Sequence, residues 1–448
     1  LLEWCHEVVL VDDMSRGSMR HLELLLEAKK PSTASCFGAA TAEFVDLGDE
    51  RAVRDLLKRH NDSAGVAHLA AVAFVQESTD DPELYKKNIT NVTKTLAEAV
   101  VAAGIEVFVQ ASSYAVYGSV EDDDDGIFDE RTTVRKPQSP YGQAKADAED
   151  VLYELSTNTA MQTTILRFAN VVGARSDAGI GQVHLPELDK YRRLWTACAE
   201  VALGFDDHIE LRGPDDFRDY VHVQDVARAV ALAAVSSRRG SGGFYEVLNV
   251  ASQTPVRAID FVDECQKATG RDIRLVVHKH QSGESTGAVG NNSAIRASLD
   301  WVPQKSLSEA VADAWAISKH WPSERQREMD LAKVKIAVII SGKLRRLTWR
   351  GEQPILSRNF LLSDTAVIDV YAAFEVHDEA AAVDKLNGLN GGRGMSYTLY
   401  TQDNLSNVDA AIAACGLDSG SCDILDQNLF QSASSTTHLS QATDPRRH

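Results

Sequence analysis

The chain has 448 residues, 44% of them hydrophobic and 25% charged, an ordinary globular composition with room for two or three domains. With 46 Lys and Arg against 65 Asp and Glu, the formal net charge of −19 argues against nucleic acid or an anionic membrane as main partner, while leaving room for a local basic pocket. The six cysteines are scattered without a C-x-x-C, which argues against zinc and redox sites and for a reducing, cytoplasmic setting; no apolar run approaches the ~18 residues of a membrane span.

The chain opens without Met on a helix-like run, Leu1 to His6, so a segment upstream is expected, and with it any targeting signal. Residues 8–11 are apolar and β-branched and predict a buried strand. Residues 20–29 predict a helix, 42–45 a strand, 50–60 a helix, and 65–71 a strand and turn. A long helix is expected over 83–103, a strand over 105–109 leading to Ser112 and Ser113, a helix over 140–157, and a strand over 163–168. Strands separated by helices of this length predict βαβ units: an α/β fold with a doubly wound parallel sheet. Such sheets bind ligands beyond the carboxyl ends of their strands. Asp12, Ser113 and Asn170 all stand just past predicted strands.

Residues 140–149 hold the most suggestive chemistry. Pro140 suits the first turn of a helix, and Ala144, Ala146 and Ala148 favour its continuation. Tyr141 and Lys145 then share one face. An ammonium beside a phenol draws the phenol pKa down from about 10 and makes a base. The same spacing also describes an ordinary surface pair. Asp12 suits the acid that binds an adenosine ribose at a strand end and favours NAD over NADP, although a plain strand-end turn is the alternative. A glycine fingerprint belongs about 20 residues before that acid, and only eleven residues precede Asp12. Gly179-Ile180-Gly181 and the glycines from 388 to 394 are no substitute. The acidic run 121–125 reads as a solvated loop, and the dispersed histidines as structural.

From 173 to 321 the pattern is more irregular and suits a smaller, mainly substrate-binding domain after a dinucleotide-binding domain over 1–172. Within it, the run Phe217 to Ala227 passes into a helix through about 236, 258–269 and 306–319 predict amphipathic helices, and 245–250 is strand-like. Polar residues 322–333 read as a linker, and 334–343 as the opening strand and turn of an α/β-like segment reaching 430. The Ser/Thr-rich tail 431–448 is expected to be disordered.

Several motifs stand in one order: Val9-Leu10-Val11-Asp12, the run His68 to Ser78, Asn88-Ile89-Thr90, the run Ala111 to Gly118, Pro140-Tyr141-Gly142-Gln143-Ala144-Lys145, the run Leu166 to Ala174, and Arg218-Asp219-Tyr220-Val221-His222-Val223. Together they resemble the extended short-chain dehydrogenase/reductase family over about residues 1–320. Within it they look like nucleotide-sugar 4-epimerases. The His68 run and Leu185-Pro186-Glu187-Leu188 are most similar to UDP-arabinose (UDP-xylose) 4-epimerases, with UDP-glucose 4-epimerases next.

The resemblance implies an NAD-dependent isomerase of galactose-type carbohydrate metabolism that inverts C4 of a UDP-sugar through a 4-keto intermediate. It assigns Tyr141 as base, Lys145 to the nicotinamide ribose, and Ser113 to the sugar hydroxyl and proton path. Asp12 would bind the adenosine ribose, with Asp46 and Leu47 by the adenine. Leu69, Ala70, Ala71, Asn88 and Phe168 would line the cofactor. Asn170 and Arg218 would hold the UDP phosphates, and no metal is implied. Relatives of this kind are usually homodimers.

Three departures qualify the likeness. The glycine loop is absent from the sequence, His280-Gln281-Ser282-Gly283-Glu284 stands in place of an R-P-G-D run, and Phe168-Ala169 in place of Tyr-Phe. Tyr114-Ala115 after Ser113 supply no acid, which disfavours a dehydratase or a decarboxylase on the same fold. A non-catalytic nucleotide-sugar-binding protein is the reading from a different class. The run Lys335 to Arg346 loosely resembles the opening of a nucleotide-sugar glycosyltransferase.

Overall fold

The computed structural model describes residues 1–28, 36–119, 126–236, 242–278, 287 and 289–321, together with two later strands, 336–341 and 369–374. Two compact units are present, Leu1–Trp321 and Pro322–His448. In the first, the elements begin β1 (Val8–Asp12), α1 (Met19–Leu26), β2 (Ala40–Phe44), α2 (Glu50–Arg59), β3 (Gly65–His68), α3 (Val75–Asp80), α4 (Pro82–Tyr85), a π-helical turn (Lys86–Asn91), α5 (Val92–Ala103) and β4 (Val107–Ser113). They continue with β5 (Ile127–Phe128), α6 (Pro140–Asn158), β6 (Gln162–Phe168), β7 (Asn170–Val172), α7 (Leu194–Leu203), β8 (Ile209–Arg212), β9 (Phe217–His222), α8 (Val223–Val235) and β10 (Phe244–Val250). Then come β11 (Pro255–Arg257), α9 (Ala258–Thr269), β12 (Leu275–His278), β13 (Val289–Gly290), α10 (Ser293–Leu299) and α11 (Leu307–Ser318). In the second unit, β14 (Ile336–Ser341) pairs antiparallel with β15 (Asp369–Phe374).

The central sheet runs β10–β6–β4–β3, all parallel. β4 and β6 are buried along nearly their whole length, so both faces are covered, and their polar residues Gln110, Ser112, Thr163, Thr164 and Arg167 are buried with the apolar ones. Successive side chains go to opposite faces. Phe108 and Ile165 pack with Val53, Leu96, Val100 and Leu152 from α2, α5 and α6. Their neighbours Val109 and Leu166 pack with Val226, Ala229, Val230 and Leu299 from α8 and α10. Each such side chain contributes about 1.5–3 kcal/mol of burial. Helices on both faces make the sheet doubly wound. β1 and β2 form a separate parallel pair, Val8 opposite Ala40. The small sheets β7–β9–β11 and β8–β12 carry the more irregular part, over a core of Trp195, Cys198, Phe261, Cys265, Val311 and Trp321.

Two local expectations change. The single helix expected over 83–103 is α4, the π turn and α5, and α3 precedes it. The wider π turn presents Asn88, whose Oδ1 accepts from the Val72 N–H at 2.7 Å. The expectation of thiols free of disulfides fails at Cys5 and Cys36, which form a disulfide with Cα atoms 5.6 Å apart. Parallel pairing of β1 with β2 brings the approaches to both strands together, which a separation of 31 residues conceals. Cys198 and Cys265 are free and buried. The acidic run 121–125, the 280–284 run, the 322–333 linker and the 431–448 tail lie outside the described residues, as does 334–430 apart from β14 and β15.

Helix α6 begins where its sequence dictates. Ser139 is extended and its Oγ accepts from the Gly142 N–H at 3.1 Å, while Pro140 occupies the first turn without wasting a donor. Gly142 is there for closeness: a Cβ would sit 2.3 Å from the Ala115 carbonyl oxygen and 3.1 Å from Pro137 Cβ. Thr90 Oγ1 donates to the Ala144 carbonyl at 3.1 Å and ties α6 to the π turn. The start of α6 is therefore pressed onto the end of β4. Gly142→Ala gains helix propensity of about 1 kcal/mol but overpacks this contact, so a net destabilisation of roughly 1–2 kcal/mol is expected in urea unfolding. An unchanged or raised stability would mean that the helix start is not seated there.

Candidate functional site

The carboxyl ends of the parallel strands carry the candidate residues. Ser113 closes β4 and caps the turn behind it, its Oγ accepting from the Ala115 N–H at 3.2 Å. Tyr141 lies in the first turn of α6, where the Ser113 side chain is near enough to act on its phenol. Lys145, one turn on, is 4% exposed, and its Nζ donates to the Ala111 carbonyl at 2.8 Å. The same Nζ lies 6.0 Å from the centre of the Tyr141 ring. Tyr85 meets that ring edge-on, with centroids 6.0 Å apart.

The charge balance differs from the sequence expectation. Burial pushes the Tyr141 phenol above its ordinary value, and the Ser113 side chain and the Arg193 charge only partly oppose it. The Lys145 ammonium, expected to depress the phenol, is itself held at a backbone carbonyl. Burial lowers Lys145 to about 8, against a raising influence from Glu149. His68, at the end of β3, is lowered to about 3 by burial and by the Lys145 charge, so it stands neutral beside the ammonium.

Asp12 ends β1, exposed, with Oδ1 accepting from the Met14 N–H at 2.7 Å. Asp46 follows β2, exposed, and its Oδ1 accepts from the Gly48 N–H at 2.8 Å. Leu47 is half-buried and packs onto the α2–α5 core. Leu69, 55% exposed, begins the turn Leu69-Ala70-Ala71 after β3, and Asn88 holds the far side of that turn. Phe168 ends β6 and is half-buried. Asn170 and Arg218 stand on the neighbouring β7–β9 sheet, Asn170 exposed and opposite Tyr220. Arg218 donates through Nη1 to the Phe217 carbonyl at 2.8 Å. The structure thus brings Ser113, Tyr141 and Lys145 together where α6 meets β4 and sets Asn170 and Arg218 on a separate sheet.

Other participants were not singled out from the sequence. Arg193 donates to the Ala73 carbonyl at 2.9 Å, lies 5.1 Å from the Phe74 ring centre, and acts electrostatically on Tyr141. Arg16, in the loop after Asp12, makes a two-bond pair with Glu77 at 2.6 and 2.9 Å. Tyr85 donates to the same carboxylate at 2.7 Å and accepts from the Phe74 N–H. Glu149, Ser112 and Arg167 form a buried cluster beneath Lys145. An Arg four residues after Asp12 and a Glu one turn after Lys145 were the available signals.

These residues suit an extended dinucleotide laid along the strand ends. Asp12 and Asp46 are exposed acids at strand ends, the Leu69–Ala71 turn follows β3, and Lys145 is buried at the start of α6. A glycine-rich turn for the pyrophosphate is not found among the described residues. No group of three or more His, Cys, Asp or Glu among the described residues has metal-binding geometry.

Comparison with known proteins places this geometry. The chain is 32% identical over 327 residues to UDP-arabinose 4-epimerase 1 of Arabidopsis thaliana, covering 71% of this chain and 75% of that protein. It is 29% identical over 326 residues to UDP-glucose 4-epimerase of Rhizobium meliloti (strain 1021), covering 69% and 95%. Among solved structures, the UDP-Glc/GlcNAc 4-epimerase of Campylobacter jejuni matches with a TM-score of 0.60 and 26% identity, over 71% of this chain and 93% of that one. The UDP-glucose 4-epimerase of Bifidobacterium longum in complex with NAD+ and UDP matches with a TM-score of 0.62 over 72% and 93%, a likeness of fold alone at 21% identity. A model described as the NAD dependent epimerase/dehydratase family matches residues 3–251, more than half of the chain, and the chain belongs to that family.

Proposed function

We propose that this protein inverts the configuration at C4 of a UDP-sugar, UDP-arabinose/UDP-xylose or UDP-glucose/UDP-galactose, through a 4-keto intermediate. The observation that carries the reading is the gathering of Ser113, Tyr141 and a buried Lys145 where the start of α6 meets the end of β4. The family's cofactor, NAD, supplies hydride acceptance from C4 and return to it. Tyr141 takes the proton of the 4-hydroxyl and gives it back after the sugar has turned over. Ser113 hydrogen-bonds the same hydroxyl and bridges it to the phenol. Lys145 holds the nicotinamide ribose, Asp12 the adenosine ribose, and Asp46 and Leu47 the adenine edge. Leu69, Ala70, Ala71, Asn88 and Phe168 shape the cofactor groove. Asn170 and Arg218 anchor the UDP phosphates, a role suited to a guanidinium fork.

Residues 1–172 serve the cofactor and 173–321 mainly the substrate in this reading, and the active species is a homodimer. A cytoplasmic location belongs to the same reading. The Cys5–Cys36 disulfide weighs against it, because such bonds persist mainly in oxidising compartments. No helix among the described residues is long and apolar enough to cross a membrane.

Incubation with NAD and a panel of UDP-sugars, read by chromatography of the epimers, tests the reading; failure of every substrate to interconvert at C4 overturns it. Tyr141→Phe removes the proton-transfer group, and a fall in kcat of about 10²–10⁴-fold is expected. A variant of wild-type activity would remove Tyr141 from the chemistry.

Lys145 gives a pH test. Its folded pKa of about 8 lies below the ordinary lysine value of about 10.4, so the charged form is disfavoured by folding. The cost is present in full below pH 8 and is relieved as pH rises through 8 towards 10.4. Lys145→Met should therefore be more stable than wild type at pH 7, by on the order of 1–3 kcal/mol once the lost Ala111 bond is counted, and the difference should shrink by pH 10. A difference independent of pH in urea unfolding would show that the ammonium is not held against its solvation.

A further inference from the structure

The mechanism leaves one large buried ionic cluster unused. It lies on the face of α6 that carries the site: Tyr141, Lys145 and Glu149 follow one another at four-residue intervals. Glu149 is 1% exposed. Its Oε1 accepts from Ser112 Oγ at 2.6 Å and Arg167 Nε at 3.0 Å, and its Oε2 from Arg167 Nη2 at 2.5 Å. Arg135 Nη1 adds a longer contact to Oε2 at 3.4 Å. Ser112 and Arg167 are the residues immediately before Ser113 and Phe168, at the ends of β4 and β6. A single carboxylate therefore grips both strand ends next to the candidate site. Arg167 is fixed in turn by the Tyr117 ring, 4.7 Å from its guanidinium carbon.

Burying an ion pair is a poor way to gain stability, since its desolvation cost rivals its attraction. A role in geometry and charge is the more economical account. We propose that Glu149 is a positioning residue for the reaction: it registers the Tyr141–Lys145 face of α6 against the ends of β4 and β6 and sets its carboxylate one helical turn from the Lys145 ammonium. The inference rests on the 4-epimerase reading for its effect on turnover.

Around Lys145, Glu149 and Tyr141 lie on its own helix, neutral His68 comes from β3, and the Ala111 carbonyl from β4. Glu149 is the negative charge among them and opposes the desolvation of Lys145. Arg135 and Arg167 lie on the far side of that carboxylate.

The test compares wild type with Glu149→Gln, Glu149→Asp and the doubly neutral Glu149→Gln/Arg167→Gln. The last removes both charges in case the single Gln variant leaves Arg167 too poorly compensated to fold. Two readouts are taken from pH 6 to 10: kcat/KM for the UDP-sugar, and stability in urea. With Glu149 neutral, Lys145 loses its proton at lower pH. The alkaline fall of kcat/KM and the alkaline rise in stability should both move down by about one pH unit, a tenfold change in the Lys145 ionisation constant. Glu149→Asp should restore the positions of both limbs even if it is less stable. Adding Lys145→Met should abolish the shift in stability. A uniform loss of activity with neither limb displaced would reduce Glu149 to a packing role and overturn the proposal. If wild type does not epimerise at all, the functional reading falls, and the stability limb alone still decides the part played by Glu149.

Discussion

The structure depends on seating the start of α6 against the end of β4. Two contacts enforce it from opposite sides of the site. Above, Gly142 lets the helix backbone approach the Ala115 carbonyl to a distance that any side chain would prevent. Below, Lys145 delivers its ammonium to the Ala111 carbonyl inside the protein. Tyr141 lies between these points and has little freedom to leave Ser113. A buried ammonium with one carbonyl would be costly by itself, and the neighbouring Glu149 carboxylate makes it tolerable. Geometry and charge are set by the same few side chains.

The doubly wound sheet supplies the rigidity this arrangement needs. β4 and β6 are covered on both faces, so their ends cannot shift without disturbing two cores at once. Their terminal residues, Ser113 and Phe168, stand at the carboxyl ends of the strands, the side on which open α/β sheets bind ligands. Glu149 links both strand ends to one helix, and the π turn links that helix to the Leu69–Ala71 turn through Thr90 and Asn88. The apolar layers hold the strands, and a smaller set of satisfied polar contacts aims the reactive groups.

Much of this was legible in the sequence, for local reasons. The strand-to-helix alternation follows from apolar periodicity, and the α6 start from Ser139-Pro140 chemistry. Tyr141 and Lys145 share a face by helical spacing alone. Ser113 could be placed at a strand end, but its contact with Tyr141 depends on how α6 returns across the sheet, which only the family resemblance suggested. Three features had no local signal. The Cys5–Cys36 bond arises from β1–β2 register, the π turn from a one-residue widening inside an unbroken helical pattern, and the rise of the Tyr141 phenol from burial that spacing cannot report. Arg193 was hidden likewise, since its partner is distant in sequence, whereas Glu149 had its helical spacing from Lys145 as a signal but not its strand-end partners.

The central claim is that C4 is the reacting carbon and that its hydrogen leaves and returns within one site, while Tyr141 handles only the hydroxyl proton. The most direct measurement uses a UDP-sugar carrying deuterium at C4, incubated with the protein and NAD, with the product read by mass spectrometry and NMR. The predicted result is the C4 epimer with its deuterium retained at C4. An epimer that has taken hydrogen from water at that carbon, or inversion at a different carbon, would contradict the account.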